Sequence, residues 1–251
     1  MKIQRREQKI ISLLETRREI SVNELSAILD CSLSTIRKHL AVMEEEGLLI
    51  RTYGGARVID RTIDESFDSK MHKSIHEKRC IAEKAKSLIP SGAAVALGSG
   101  TTVYNLSNCM DDLSTGVVYT NSMQVAVYLS NCPKLEVHVI SGIVRGRTGT
   151  IIGSEVTEFF RESKHIDYAF IGCDAIDSSG DIFNDNLAVA AAERTLLFSA
   201  KNKYILCDSS KFGKRSTARI ANLRECSGLI TSGNLGSLLD VYRNLTKVLI
   251  G

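Results

Sequence analysis

No run of eighteen apolar residues occurs in the 251-residue chain, so a membrane-spanning helix is not expected. The opening MKIQRREQKII lacks the apolar stretch of a secretory leader, which argues against export. Seven cysteines, at 31, 80, 109, 132, 173, 207 and 226, form no CxxC pair and are odd in number. They are expected to be reduced, mostly buried thiols of a cytoplasmic protein, with no metal or redox centre. Prolines are only two, Pro90 and Pro133, and no internal repeat or low-complexity tract is evident. Nor does charge of one sign dominate: 32 Lys and Arg against 29 Asp and Glu leave +3. That balance does not by itself argue for nucleic acid, so any such case has to come from local patterning. What is present is a hydrophobic share of 43%, enough at this length for a sizeable core and two domains.

The first sixty residues hold a local pattern. Ile10, Ile11, Leu13 and Leu14 form a helical stripe with Arg5, Arg6, Lys9, Arg17 and Arg18 around it. SVNELSAIL opens with Ser21 and carries Glu24 three residues later, a capping-box spacing, with Val22, Leu25, Ile28 and Leu29 as its buried face. After Asp30-Cys31 comes SLSTIRKHLAVMEEEGLL. Ser32 or Ser34 can cap this third helix, Ile36, Leu40 and Met43 share one face, and Gly47 suits its C-terminal cap.

Helix, short helix, tight turn and longer helix read as a helix-turn-helix, whose last helix enters the major groove. Its leading residues, Ser32, Ser34, Thr35, Arg37, Lys38 and His39, are all types that hydrogen-bond to base edges. The acidic run Glu44–Glu46 would repel phosphate and is expected to face away from DNA. Two short β-type runs, 48–53 and 56–59, flank Gly54-Gly55 as a hairpin with a primed turn. It would form a wing, with Arg51, Tyr53 and Arg57 placed to meet backbone phosphate or the minor groove. A winged helix over residues 1–60 is therefore expected to bind double-stranded DNA.

Residues 61–77 are charged, show no clear strand and read as a linker into a second domain at 78–251. A helix is expected at 78–89. Strand-like runs at 93–98, 117–120, 135–140, 168–172, 203–208 and 228–231 then alternate with helical stretches at 103–110, 122–130, 154–163, 187–200 and 234–244. This is an α/β pattern, an open and mainly parallel sheet, in which ligands bind beyond the carboxyl ends of the strands. Five polar clusters follow such runs: Ser99-Gly100-Thr101-Thr102, Thr120-Asn121-Ser122, Ser141-Gly142, Gly172-Cys173-Asp174 and Asp208-Ser209-Ser210-Lys211. They are expected to converge on one rim.

The Ser-Gly-Thr-Thr turn offers backbone N–H groups and three hydroxyls to a phosphate, but lacks the Gly-Lys-Ser/Thr of a nucleotide loop. Full positive charge must come from elsewhere, and Lys211 is the expected cation, with Asp208 steadying its turn and Lys214 and Arg215 as neighbouring competitors. Arg145 and Arg147 read equally as solvated loop charges or as partners of the phosphate or sugar. His72 and His76 stand at i, i+4 and read as a polar helix face rather than a zinc site. No cofactor is expected.

Residues Arg5 to Gly55 resemble the DNA-binding domain of the DeoR family of bacterial transcriptional regulators. The resemblance rests on R-x-x-x-I near the start, VNELSAIL, SxSTIRKHL, MEEEGLL in place of LEE-G, and RTYGGA. The rest of the chain resembles that family's effector domain through SGTT at 99–102, TNS at 120–122, GIVRGRTGTIIG at 142–153, DYAFIGCDAID at 167–177 and LCDSSKFGK at 206–214. The matches span nearly the whole chain in family order. They imply an oligomeric, sugar-phosphate-responsive regulator, usually a repressor of sugar-metabolism genes. The implied effector domain is Rossmann-like and similar in fold to ribose-5-phosphate isomerase. Gly98, with Ser99 to Thr102, Thr120 to Ser122, Gly142, Arg145, Asp174 and Lys211, is the expected effector set.

A sugar-phosphate isomerase with an appended DNA-binding domain is the alternative. Asp174 and Asp177 in GCDAID resemble that enzyme's acidic motif, and Gly98 stands where the regulators commonly have Asp. After Asp177, however, the isomerases carry a Lys-Gly-Gly-Gly segment, whereas this chain reads DIFNDNLAVAAAERTLL. Glu193, the candidate base, lies on an amphipathic helix and reads as a solvated charge. No catalytic residue is expected.

Overall fold

The computed structural model describes residues 2–17, 19–45, 49–52, 54–58, 67–111, 116–163 and 165–251. The chain divides into two compact units, Met1–Glu65 and Ser66–Gly251.

In the first unit α1 (Lys2–Arg17), β1 (Glu19–Ser21), α2 (Val22–Leu29) and α3 (Leu33–Glu45) precede the hairpin β2 (Leu49–Thr52) and β3 (Gly55–Val58). Ile10, Leu14, Leu25, Ile36, Leu40 and Met43 lie on the inner faces of the helices and close over Ile20, Leu49 and Ala56 of the strands. The capping box forms: the Glu24 amide donates to Ser21 Oγ (3.2 Å) and the Ser21 amide to Glu24 Oε2 (2.9 Å). Ser32 caps α3, its Oγ accepting from the Thr35 amide at 3.2 Å. β1 has no counterpart in the sequence reading. It pairs antiparallel with β3, giving the order β1-β3-β2 and burying Ile20. That pairing is why Gly55 has no side chain: a Cβ there would run into the Ile20 carbonyl and lie 2.8 Å from Ser21 Cα. Gly47 and Tyr53 lie outside the described residues, so the cap and the turn expected there are not described.

The second unit opens with α4 (Phe67–His72) and α5 (Ile75–Lys86), followed by β4 (Ala94–Leu97), α6 (Thr101–Ser107), β5 (Gly116–Thr120), α7 (Met123–Leu129) and β6 (Leu135–Val139). A hairpin, β7 (Ile143–Arg145) and β8 (Thr150–Ile152), leads through α8 (Ser154–Glu162) to β9 (Ile166–Gly172). Then come β10 (Ala175–Ile176), β11 (Asp181–Asn184), α9 (Leu187–Phe198), β12 (Ala200–Asp208), β13 (Ala218–Asn222), β14 (Gly228–Ser232), α10 (Leu238–Arg243) and β15 (Val248–Ile250).

Seven strands form one sheet, ordered β15-β14-β12-β9-β4-β5-β6, and every neighbouring pair is parallel. Strand residues alternate between two cores. Val95, Leu97, Phe170, Leu206 and Ile230 pack with α5, α6 and α7, while Ala96, Ala169, Ile171, Ile205 and Leu229 pack with α8, α9 and α10. Burial on both faces is why these strands read as near-continuous apolar runs. All six expected strands are present, as are the helices between them. The β7–β8 hairpin, the small antiparallel sheet β10-β11-β13 and β15 were not foreseen; their two- to five-residue strands leave too short a pattern.

Two expectations need correction. Residues 67–77, read as linker, belong to the folded unit: the Phe67 ring packs edge-on against Tyr104 (5.4 Å) and its amide donates to the Arg147 carbonyl. The six-residue helix FDSKMH is too short and polar to show a helical stripe. The seven cysteines are all free thiols, but only Cys207 is fully buried and the other six are partly exposed.

The chain runs from β4 outward to β5 and β6 on one side, and from β9 outward to β12, β14 and β15 on the other. The switch point is therefore between β4 and β9. Their carboxyl ends bring Gly98–Thr102 and Gly172–Asp174 to the two walls of one crevice.

Candidate functional site

On the β4 side, Ser99, Thr101 and Thr102 are buried, and Gly100 has φ +101°, a backbone state that favours glycine. The Ser99 amide and hydroxyl both donate to Glu193 Oε1 at 2.8 Å. Glu193 corrects the reading of a solvated charge. It is 2% exposed, because on α9 it falls on the sheet-facing side with Val189 (i−4) and Leu196 (i+3). Gly98 makes room for it: a Cβ at 98 would lie 2.9 Å from Glu193 Cδ and closer still to Oε2. Burial pushes the Glu193 carboxyl up to about 7, against the opposing pull of the Ser99 hydrogen bonds and the nearby Asn121 amide. No donor reaches hydrogen-bonding geometry with Oε2 among the described residues, and Asn121 Oδ1 is likewise unpaired.

Thr120 ends β5, Asn121 and Ser122 lead from it into α7, and all three are fully buried. Two of them are occupied locally. Thr120 Oγ1 accepts from the Ser122 amide (3.1 Å), and Ser122 Oγ accepts from the Val125 amide (3.4 Å) to cap α7. Asn121 Nδ2 donates to the Ile151 carbonyl (3.2 Å) of β8, leaving its Oδ1 over. The hairpin is stitched to this edge by Ile151 N to Asn121 O (2.7 Å) and Met123 N to Gly149 O (2.9 Å). Gly142 is exposed at the start of the hairpin with φ +151°, its Cα against β8. Arg145 ends β7, and its charge is felt by Asp185.

On the β9 side, Asp174 Oδ1 accepts from Lys70 Nζ of α4 (2.8 Å) and Oδ2 from the Asp185 amide (3.2 Å). Burial would raise this carboxyl, but the Lys70 and Lys211 ammonium charges and these hydrogen bonds outweigh it and hold it below the usual carboxylate range. Asp185 goes the other way, raised by burial and then by the charge of Asp174. After β12, Asp208 Oδ1 accepts from the Ser210 amide (3.1 Å) and steadies a short 3₁₀ turn, Ser209–Lys211. Glu77 of α5 holds the same turn through the Ser209 amide and hydroxyl (2.6 and 2.8 Å). From this turn the charge of Lys211 is felt by Asp174. Its neighbours point elsewhere: Lys214 Nζ donates to the Ser210 carbonyl (2.7 Å), and Arg215 Nε to Asp177 (2.7 Å). Asp177, which also accepts from Ser179 and the Asp181 amide, ties a turn.

In the first unit Ser32, Ser34, Arg37 and Lys38 form one exposed face at the start of α3, with Thr35 half-buried beside it. His39 does not share that face. Its side chain is 13% exposed and sits 3.7 Å from Glu7 of α1, because residue 39 follows Ile36 and precedes Leu40 on the packed side. Arg51 is exposed on β2, its amide donating to Glu44 Oε1 (2.9 Å) and its guanidinium 3.7 Å from Oε2. Arg57 is half-buried on β3, and Tyr53 lies outside the described residues.

Sequence reasoning missed Lys70, Asp185 and the burial of Glu193. Only the last had a signal, the i−4, i+3 spacing of Glu193 from Val189 and Leu196.

The arrangement, a winged helix followed by a parallel-sheet unit with a polar switch-point crevice, matches two family models. Residues 6–62 match the DeoR-like helix-turn-helix domain and residues 73–233 the DeoR C terminal sensor domain. This chain belongs to the DeoR family of transcriptional regulators. A putative aga operon transcriptional repressor of Escherichia coli O157:H7 is 32% identical over 90% of this regulator and 85% of the relative. The lactose phosphotransferase system repressor of Streptococcus mutans is 32% identical over 99% of this chain and 100% of its own. Among solved structures, ribose 5 phosphate isomerase A from Neisseria gonorrhoeae aligns at 15% identity and TM-score 0.40, over 55% of this chain and 53% of that one. No described helix of the regulator is long and apolar enough to cross a membrane.

Proposed function

We propose that this regulator is a cytoplasmic, homo-oligomeric repressor of sugar-metabolism genes whose hold on an operator is controlled by a phosphorylated sugar. The observation that carries the effector side is the convergence at the β4–β9 switch point: a hydroxyl-lined turn at 99–102, Lys211 on its tethered turn, and two buried, unpaired acceptors, Asn121 Oδ1 and Glu193 Oε2. The phosphate is assigned to the Ser99–Thr102 turn and Lys211, and the sugar to Asn121, Asp174 and Arg145. The names of the aga operon and lactose phosphotransferase repressors support sugar-linked control. On the DNA side, Ser32, Ser34, Thr35, Arg37 and Lys38 read base edges while Arg51 and Arg57 meet phosphate. Oligomers imply repeated half-sites in the operator.

The test is a thermal-shift screen of sugar phosphates on the full chain, read together with a gel shift on its own promoter region. A ligand at 100 times its Kd adds about 2.7 kcal/mol to stability. Release or strengthening of the gel-shift complex by that same compound supports the reading; stabilisation without any change in DNA binding overturns it.

One observation favours a second reading, a sugar-phosphate isomerase. A buried carboxyl raised to about 7, beside a phosphate-type turn, has the proton affinity of a general base. Against it stands the replacement of the isomerases' glycine-rich lysine segment by DIFNDN, and we assign the crevice to sensing without turnover. Conversion of ribose 5-phosphate to ribulose 5-phosphate by the purified chain, abolished in Glu193→Gln, would reverse that assignment.

A further inference from the structure

We propose that Glu193 is the specificity-determining residue of the sensor crevice: anchored through Oε1 on Ser99 and accommodated by the missing side chain at position 98, its unpaired Oε2 accepts a hydrogen bond from a hydroxyl of the sugar. The proposal rests on the sugar-phosphate reading and names one contact within it.

Three observations carry it. The first is steric. Residues 98 and 193 come from different elements, yet a Cβ at 98 would overlap the Glu193 carboxyl, so the glycine and the glutamate form one unit. The second is the anchoring. Two donors on Oε1, both 2.8 Å away and both from Ser99, fix the carboxyl plane and leave Oε2 as the free end. The third is the lone acceptor itself. A carboxylate oxygen buried without a donor is costly, and a second unpaired acceptor, Asn121 Oδ1, accompanies it at the end of the neighbouring strand β5. Two acceptors suit a polyol, whose hydroxyls donate. They do not suit the phosphate, which brings acceptors of its own; that group belongs with Lys211 and the 99–102 turn.

The surroundings set the charge state. Ser99 and Asn121 face Glu193 from the ends of β4 and β5, and the Asp174 carboxylate faces it from the end of β9. Asp174 is held in turn by Lys70 of α4 and lies in the field of Lys211 after β12. The residues that β8, α8 and β13 place in the core shared with α9 are apolar, among them Ile151, Val156, Phe160 and Ile220. With the carboxyl raised to about 7, a hydroxyl donor selects the ionised form, so sugar binding expels a proton near neutrality.

The experiment is titration calorimetry on the full chain with inorganic phosphate, methyl phosphate, glycerol 3-phosphate, ribose 5-phosphate, fructose 6-phosphate and galactose 6-phosphate, at pH 6 and pH 8. Wild type, Glu193→Gln and Lys211→Ala are compared, with circular dichroism to confirm folding. For the sugar phosphate that binds wild type best, Glu193→Gln is expected to raise Kd at least tenfold at pH 8. It should also remove the part of the pH dependence that belongs to the carboxyl, about tenfold between pH 6 and pH 8 for a group titrating near 7. Titration of the phosphate itself survives in the variant and serves as the internal reference. If Glu193→Gln does not fold, the wild type decides alone: near pH 7 a sugar phosphate should release about half a proton more than methyl phosphate, a monoester that titrates in the same range as the sugar's phosphate but brings no hydroxyl. Equal release by the two overturns the role of Glu193. Equal affinity and equal pH dependence in wild type and Glu193→Gln overturn the role of Glu193 while Lys211→Ala still loses binding. A panel in which no sugar phosphate binds wild type overturns the sugar-phosphate reading, and this proposal with it.

Discussion

Gly98→Ala is the sharpest test of the packing at the crevice. The backbone at 98 is not in the left-handed region, so alanine is conformationally allowed and would on its own stabilise by about 0.4–1 kcal/mol through the unfolded chain. The new methyl, however, lies 2.9 Å from Glu193 Cδ, 3.0 Å from Oε1 and closer still to Oε2. Ordinary contact requires the carboxyl to retreat by roughly an ångström, and both 2.8 Å bonds from Ser99 then fail. Hydrogen bonds to a charged group contribute about 1.5–3 kcal/mol each, and the buried Ser99 amide loses its partner. Allowing for relaxation and for partial protonation of the displaced carboxyl, the net cost is about 2–4 kcal/mol, roughly 4–16 °C in Tm for a unit of this size. The chain has no tryptophan, so calorimetry or far-ultraviolet circular dichroism is the suitable readout. Glu193→Ala in the same chain removes the clash, and the double variant should be more stable than the sum of the singles by at least about 1 kcal/mol. A Gly98→Ala protein within about 0.5 kcal/mol of wild type, or strict additivity in the cycle, would refute the reasoning.

Other consequences follow from the same contacts. Lys211→Ala should leave operator binding intact and abolish its response to the sugar phosphate in a gel shift; a variant that still responds while Lys214→Ala does not would move the cation to 214. Arg37→Ala should weaken operator binding by about 1–3 kcal/mol in a gel shift, with the fold unchanged. His39→Ala, by contrast, should cost the first unit about 1 kcal/mol in thermal unfolding and leave the operator footprint as it is, since the ring packs toward Glu7. The Asp177 carboxyl is opposed by burial but held below its ordinary 3.8 by hydrogen bonds from Ser179, Arg215 and the Asp181 amide. Its contribution is therefore present above about pH 4 and lost as pH falls through the folded value, and Asp177→Asn should flatten the acid limb of a stability–pH profile.

The large architecture was legible because its physics is periodic. Strands covered on both faces announce themselves as unbroken apolar runs, and six of the sheet's seven strands were legible on that signal. The Ser21–Glu24 capping box and the packed face of α3 were legible from their spacings. Ile28, by contrast, expected on the buried face of α2, is 41% exposed and Leu29 only half-buried, leaving Val22 and Leu25 to pack. Short antiparallel pieces were not. β1 is three residues long, β10 only two, and each exists because a distant partner supplies its hydrogen bonds: β3 pairs with β1 through Ile20↔Ala56, and β11 with β10 through Ile176↔Ile182. His39 shows a related limit. Residue type marked it for DNA, but on α3 it falls toward α1, and side-chain direction outweighs type.

The crevice was legible wherever a polar residue ends a strand, since the topology of a parallel sheet carries all such ends to one rim. It was illegible wherever the contributor arrives from the side. Lys70 stands in a six-residue polar helix, and nothing local to FDSKMH says that its ammonium reaches Asp174, 104 positions later. Glu193 is the more instructive miss. A glutamate among alanines and leucines was assigned to solvent because burying a carboxylate is expensive, and that rule is sound for an arbitrary helix. It fails here because the cost is offset by two Ser99 donors and by the space a glycine leaves at position 98. In the sequence the glycine is a departure from the regulators' usual Asp, and the glutamate a candidate base that reads as a solvated charge. Neither means much separately. Their overlap in space turns both into one feature, a carboxyl delivered from the helix to a place that the end of β4 leaves vacant of side chain.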